Sequence, residues 1–383
     1  MNYTDRVTRV EPSATLAVSS LASQLEADGV DVVDLSVGEP DFDTPEHVKA
    51  AGQDSIARGE TKYAPSAGIP ALRSEIAASL QSSGLPYESE NVMVTPGAKQ
   101  ALFEVVHTLV EDGDEVALLD PAWVSYAAMA KLAGATLNRI DLRETDFQLE
   151  PALDSLAAAV SDDTELLVVN SPNNPSGAVY SRAAMEGVRD LAVEHDITVI
   201  ADEIYREIQY EGERLSLATL DGMADRTVTV NGFSKAYAMT GWRLGYFAAP
   251  TGLIDQAGKI QSHSVSSAAT FVQHAGLAAL RGPSGPTEIM VEAFESRRDL
   301  LLSKIGEYGI EVPTPGGAFY LMLPVDEDDE TWCTTALEEA HVATVPGSAF
   351  GTPGYARLSY AADADRIREA IDRLGEAGFL NGS

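Results

Sequence analysis

The stretch Thr227-Val228-Thr229-Val230-Asn231-Gly232-Phe233-Ser234-Lys235 reads as a β-strand that ends in a small-residue turn carrying an amine. β-Branched residues fill the first half, and Gly232 punctuates it. Working outward, the same pattern recurs on both sides. Strands are expected at 91–95, 115–119, 165–170, 197–201, 227–231 and 244–248, all rich in Val, Ile or Leu. Amphipathic segments such as 100–110 and 183–195 lie between them. Alternation of this kind predicts an α/β fold, with a mainly parallel sheet flanked by helices.

Toward the amino end, Pro70 opens a helix with Leu72, Ile76 and Leu80 on one face, because Pro suits the first helical position. An earlier helix near 15–28 has the pattern to pack with either part of the chain. From about Phe294 the pattern changes to a helix, strands and a final helix at 364–377, which predicts a smaller α+β domain. Asp328 to Glu330 read as an acidic surface loop. A large domain is expected over 40–285, and a small one from 1–39 with 286–383.

Composition narrows the function. At 383 residues and 45% hydrophobic content, two domains with sizeable cores are expected. One cysteine, Cys333, cannot form an intramolecular disulfide, and the six histidines fall in no ligand pattern, so no metal is expected. The net charge of -33, from 59 acids against 26 bases, excludes nucleic acid and anionic membranes as partners. Acids spread along the whole chain read as a solvated surface suited to high salt, which points to a halophilic source. No amino-terminal stretch reads as a signal peptide, and no run approaches the roughly 18 apolar residues that span a bilayer. A soluble, cytoplasmic protein is the expectation.

In an open α/β sheet, ligands bind beyond the carboxyl ends of the strands. The residues there are Pro96-Gly97-Ala98-Lys99-Gln100, then Asp120-Pro121-Ala122-Trp123, then Ser171-Pro172-Asn173-Asn174-Pro175-Ser176-Gly177. Asp202-Glu203-Ile204-Tyr205 and Gly232-Phe233-Ser234-Lys235 follow, with Arg243 eight residues beyond the lysine. Each has an ordinary reading alone: a turn, a helix cap, a surface pair. Together they make an anion cup, an aromatic plate, an amide, a carboxylate, a phenol, an amine and an arginine. A phosphorylated pyridine aldehyde needs that set. The amine condenses with the aldehyde. The carboxylate keeps the ring nitrogen protonated, and backbone amides with the arginine hold the phosphate.

These residues carry a resemblance. The chain is similar to the fold-type I, class I aminotransferases, which use pyridoxal phosphate, and within them to the prokaryotic aspartate aminotransferase subgroup. The stretches are Ser36-Val37-Gly38-Glu39-Pro40-Asp41-Phe42, Lys62-Tyr63, Asn173-Asn174-Pro175-Ser176-Gly177, Ala201-Asp202-Glu203-Ile204-Tyr205, Ser234-Lys235, Gly241-Trp242-Arg243-Leu244-Gly245-Tyr246 and Arg357-Leu358-Ser359-Tyr360. The resemblance implies that Lys235 holds the cofactor, Asp202 pairs with its ring nitrogen, and Tyr205 and Asn174 bind its ring hydroxyl. It places Trp123 stacked on the ring, and Ala98, Lys99, Ser234 and Arg243 at the phosphate. It makes Arg357 the clamp for the substrate α-carboxylate, assisted by the Gly38 backbone. It sends Tyr63 to the phosphate of a neighbouring subunit, and so implies a homodimer with shared sites. Gly232 departs from the serine many relatives carry.

The implied reaction is ping-pong amino transfer between an amino acid and a 2-oxo acid, with aspartate and 2-oxoglutarate expected as partners. Lys99 is the candidate for the distal carboxylate in this resemblance, while a lysine that only balances the phosphate is the alternative. Pro12-Ser13-Ala14-Thr15 also resembles that subgroup and is expected to fold over the site. Prephenate, aromatic or aliphatic amino acids stay open as substrates. So do a lyase using the same cofactor and a non-catalytic regulatory module.

Overall fold

A computed structural model describes residues 2–12, 14–325 and 328–380, with the side chains of 14–16 left out. Strand β1 (Val33–Asp34) comes first. Then follow β2 (Val92–Thr95), β3 (Glu115–Asp120), β4 (Thr136–Asp141), β5 (Thr164–Asn170), β6 (Thr198–Asp202), β7 (Thr227–Gly232) and β8 (Gly245–Ala248). Strands β2 to β8 form one sheet in the order β2-β8-β7-β6-β5-β3-β4. Only β8 runs against its neighbours, so the sheet is mainly parallel as expected.

Successive side chains of a strand point to opposite faces, and both faces here are covered. Ala117, Leu119, Leu167, Val169, Val199 and Ala201 enter one core. Val116, Leu118, Leu166, Val168, Ile200 and Val228 enter the other. That explains the unbroken apolar runs. Strand β4 escaped the sequence reading because Thr136-Leu137-Asn138-Arg139-Ile140-Asp141 is an edge strand paired only with β3 and largely open to solvent. The other six expected strands are present, with ends displaced by at most one residue.

The remaining strands are β9 (Tyr320–Pro324), β10 (Val342–Ala343), β11 (Val345–Pro346) and β12 (Tyr355–Ser359). A small antiparallel sheet runs β11-β12-β9, while β10 pairs parallel with β1. The helix Ala364–Glu376 buries Ile367, Ala370, Ile371 and Leu374, a stripe at helical spacing, and Asp363 caps its start by accepting from the Asp365 N–H. Each of the three large side chains contributes roughly 1.5–3 kcal/mol of burial. A charge at Ile371 would break that contact. The helix Ala14–Ala27 packs toward β10 and β11, with Ala22 beside Leu337 and Ala343.

Asp328 to Glu330 are not a surface loop. Asp328 caps the helix Asp329–Glu339 by accepting from the Thr331 N–H, and Asp329 is buried, accepting the Ser348 N–H at 2.7 Å. Acids at a helix start satisfy its free N–H groups and oppose its dipole. Their charge alone suggests exposure, while the helix start gives Asp329 a buried partner.

Candidate active site

The chain reverses its direction of winding at β3, which lies between β4 and β5. A crevice opens at the carboxyl ends where that happens. It holds a cavity of ≈ 550 Å³ lined by Gly38, Ala98, Lys99, Trp123, Asn174, Asp202, Tyr205, Ser234, Lys235, Arg243 and Arg357. Eleven of the twelve residues singled out from the sequence are therefore brought together. Tyr63 is not; it is 94% exposed, beside the stretch 265–271. The side chains of Ser13, Ala14 and Thr15 lie outside the described residues.

Asp202 ends β6 and is buried. Its Oδ2 accepts the Tyr126 hydroxyl at 2.7 Å, and its Oδ1 accepts the Ile204 N–H at 3.1 Å. Burial raises the carboxyl to about 6, and those two hydrogen bonds hold it back. Asn170 ties the neighbouring strand end to it, donating to the Asp202 carbonyl at 2.9 Å. Lys235 sits in the turn after β7, and its amine donates to the Gly38 carbonyl. Burial lowers that amine to about 8, opposed by the Glu39 carboxylate and reinforced by Arg357 and Arg243. The Tyr205 hydroxyl lies 2.9 Å from that of Tyr320, and Asn174 Nδ2 donates to it at 3.4 Å.

Arg357 is fully enclosed. Nη1 donates to Asn174 Oδ1 at 3.1 Å and Nη2 to the Ser36 carbonyl at 2.5 Å, while Nε has no partner. The guanidinium rests 4.6 Å from the Tyr320 ring centre. No carboxylate among the described residues forms a salt bridge with it. A buried guanidinium without a counter-charge is costly, and an incoming carboxylate relieves that cost.

Two glycines build the anion cup. A Cβ on Gly97 would lie 2.6 Å from Arg243 Nη2, and one on Gly245 would lie 2.3 Å from the Ala98 nitrogen. Only glycine lets Arg243 and the free amides at the start of the helix Ala98–Leu109 close around one point. Arg243 itself is left-handed, with φ 56°, and donates to the Thr240 carbonyl at 2.7 Å. At Gly232 a Cβ would press on Gly245 Cα at 3.0 Å and the Leu244 carbonyl at 3.1 Å, so its departure from serine fits a crowded turn. Lys99 Nζ lies 4.7 Å from the centre of the Trp123 ring.

Tyr126, Tyr320, Asn170 and Glu39 line the cavity without having been singled out. Tyr126 lies in the first turn of the helix Val124–Ala133, which Trp123 precedes, and the two rings meet edge to face with centres 5.3 Å apart. Tyr320 belongs to β9, far away in sequence, and no local pattern marks it.

The donor set fits a phosphorylated pyridine aldehyde: an enclosed amine, a buried carboxylate, an aromatic plate, and an amide cup closed by an arginine. Fold and site define a pyridoxal-phosphate-dependent transferase. Residues 30–374 match the family described as aminotransferase class I and II, and the chain belongs to that family. It is 43% identical over 376 residues to the aspartate/prephenate aminotransferase of Thermus thermophilus, covering 96% of this chain and 97% of that one. It is 38% identical over 387 residues to the aspartate aminotransferase of Bacillus subtilis, covering 98% of each. The solved aspartate aminotransferase from Thermus thermophilus with maleate superposes with a TM-score of 0.95, at 42% identity, covering 98% of this chain and 99% of that chain. The protein is an aminotransferase. A lyase or a regulatory module is not favoured.

Proposed function

We propose that the enzyme exchanges the amino group between aspartate and 2-oxoglutarate. The observation that carries this reading is Lys99, an exposed cation beside Trp123 that lines the cavity also holding Arg357. One cation meets the α-carboxylate and the other the distal carboxylate. The named activities of the Thermus and Bacillus relatives support it.

The cofactor, when bound, supplies an electron sink for charge developing at the substrate α-carbon. Lys235 Nζ would hold the cofactor, and once freed would move the proton at the substrate α-carbon as base and acid. A lowered pKa, about 8, favours that role near neutral pH. Asp202 would pair with the ring nitrogen and keep it protonated. Tyr205 and Asn174 would bind the ring hydroxyl, and Trp123 would stack on the ring. The backbone amides of Ala98 and Lys99, with Ser234 and Arg243, would hold the phosphate. Arg357, with the Gly38 backbone, orients the α-carboxylate.

The exposed Tyr63 supports a homodimer in which it reaches the partner's phosphate site. The pairing of β1 with β10 supports domain limits at 40–285, and at 1–39 with 286–383. The acidic composition supports a halophilic source, and no helix among the described residues is long and apolar enough to cross a membrane. A cytoplasmic location belongs to the same reading.

Lys99→Ala tests the substrate. A charge-assisted bond of about 1.5–3 kcal/mol predicts a roughly tenfold to hundredfold loss of kcat/KM for aspartate, with alanine nearly unchanged. Equal losses for both, with weaker cofactor retention, would assign Lys99 to the phosphate instead. Prephenate is assayed beside oxaloacetate, since its carboxylates can use the same lysine.

A further inference from the structure

Asp120 ends β3 and Arg139 lies on the neighbouring β4. Arg139 grips the carboxylate with both ends of its fork, Nε to Oδ2 at 2.6 Å and Nη2 to Oδ1 at 2.7 Å. The carboxylate is almost fully buried, with 5% of its side chain exposed. Nη2 also donates to the Phe350 carbonyl at 3.3 Å, and that carbonyl accepts the Ala122 N–H at 3.0 Å. Ala122 precedes Trp123, the plate of the cavity. The ring of Phe350 lies 5.2 Å from the guanidinium of Arg357, the opposite wall.

Gly351 shows how closely the chain is drawn in. Its φ is 82°, and a Cβ there would lie 2.0 Å from Arg139 Nη2 and 2.6 Å from Asp120 Oδ2. The turn after Phe350 therefore passes against the ion pair with no side chain between them.

We propose that Asp120 and Arg139 are positioning residues, a latch that fixes Trp123 relative to Arg357 through the Phe350 carbonyl and ring. Neither residue lines the cavity. They act through carboxylate, guanidinium and Phe350 carbonyl, then through the Ala122 N–H to the backbone that carries Trp123 on one side and through the Phe350 ring to Arg357 on the other. Displacement of a positioning group by about 1 Å costs up to a hundredfold in rate. The inference rests on the roles proposed above for Trp123 and Arg357.

The test uses the cofactor-loaded enzyme with Asp120→Asn, Arg139→Met, Arg139→Lys and the double variant Asp120→Asn/Arg139→Met. Readouts are calorimetric binding of maleate, a four-carbon dicarboxylate that is not turned over, KM and kcat for 2-oxoglutarate, and melting temperature. The latch predicts maleate binding weakened about tenfold and KM raised by a similar factor, with kcat changed less. Arg139→Lys should not restore binding, because a compact ammonium lacks the planar fork that meets both carboxylate oxygens in parallel. The double variant removes both charges and leaves no buried carboxylate unpaired, so it keeps the test open if a single variant folds poorly. Unchanged maleate binding with only a lower melting temperature would reduce the pair to a structural brace and overturn the proposal. Arg357→Lys is run in parallel. If it weakens maleate binding while the Asp120 and Arg139 variants do not, the latch alone is wrong. If it too binds normally, the carboxylate clamp is misassigned and the latch falls with it.

Discussion

Cations inside the cavity and cations on the exterior are treated differently. Outside, Arg366 and Arg373 share Asp31 and also reach Glu369, and Arg182 meets Glu186 and Glu213. Inside, Lys99, Lys235, Arg243 and Arg357 face Glu39 and Asp202, yet none of the four makes a salt bridge among the described residues. In a protein of net charge -33, acids are abundant and a positive cavity is unexpected on composition alone. Positive charge kept from protein carboxylates is available to anionic ligands, and a concave site focuses its field. The cavity is a site for phosphate and carboxylates because the fold withholds counter-charge there.

The sharpest way to break this contrast is to remove the cavity's reacting groups. Lys235→Ala should abolish turnover and remove the visible absorption of the loaded protein. Asp202→Ala should lower turnover by several orders of magnitude while much of the cofactor stays bound, since the ring loses the partner that keeps it protonated. Near-normal turnover of cofactor-saturated Asp202→Ala, or borohydride labelling on another lysine, would contradict these roles.

The same contrast predicts that the empty cavity destabilises the fold. The folded carboxyl of Asp202 titrates at about 6, above the ordinary 3.8. Its protonated form is the one burial favours. The penalty is absent below about pH 4, where the group is protonated whether folded or not. It develops as pH rises from about 4 to about 6 and is constant above. At pH 7 it is on the order of 3 kcal/mol. Cofactor-free Asp202→Asn should therefore be more stable than the parent by about that much at pH 7, with the difference gone near pH 4. Tyr126 can turn its hydroxyl to accept from the new amide, so the hydrogen bond survives. Denaturant titrations of the two proteins at both pH values check the sign. A variant that is less stable at pH 7 would show that Asp202 is better solvated than its burial implies.

How much of this was legible in the sequence depends on where each residue sits. The cavity residues on β3, β5, β6 and β7 were readable because a parallel strand delivers its next residues to the same edge, so position after a strand is position in the site. Arg357 was reached through a stretch resembling the family, not through any pattern in β12. Tyr320, Phe350 and Arg139 were not reachable. Their roles arise from contacts between the small sheet and the large one, and nothing local distinguishes a β9 tyrosine or an edge-strand arginine from ordinary core or surface. Asp329 misled for the opposite reason: a charged residue near other charges reads as solvated, while a helix start can bury it against a backbone amide.

The exterior gives the smallest effect per residue and the widest summed one. With 26 bases and 59 acids, pairing every base would still leave acids facing one another over the surface. Added salt acts on both kinds of contact. It screens pairs such as Asp31 with Arg373, which weakens the fold, and it screens repulsion between unpaired acids, which strengthens it. The pairs are short-range and are screened only modestly at contact distance. The repulsion acts over many longer separations and is largely removed as the Debye length falls from about 10 Å at 0.1 M to about 3 Å at 1 M. Relief of repulsion therefore outweighs the weakening of the pairs, and stability should rise from low to molar potassium chloride. The cavity provides an internal control: maleate binding, driven by cations the fold leaves unpaired, should weaken over the same range. A melting temperature that is flat or falls between 0.1 M and 1 M would show that the surface acids lie too far apart to repel, and would remove the halophilic reading with it.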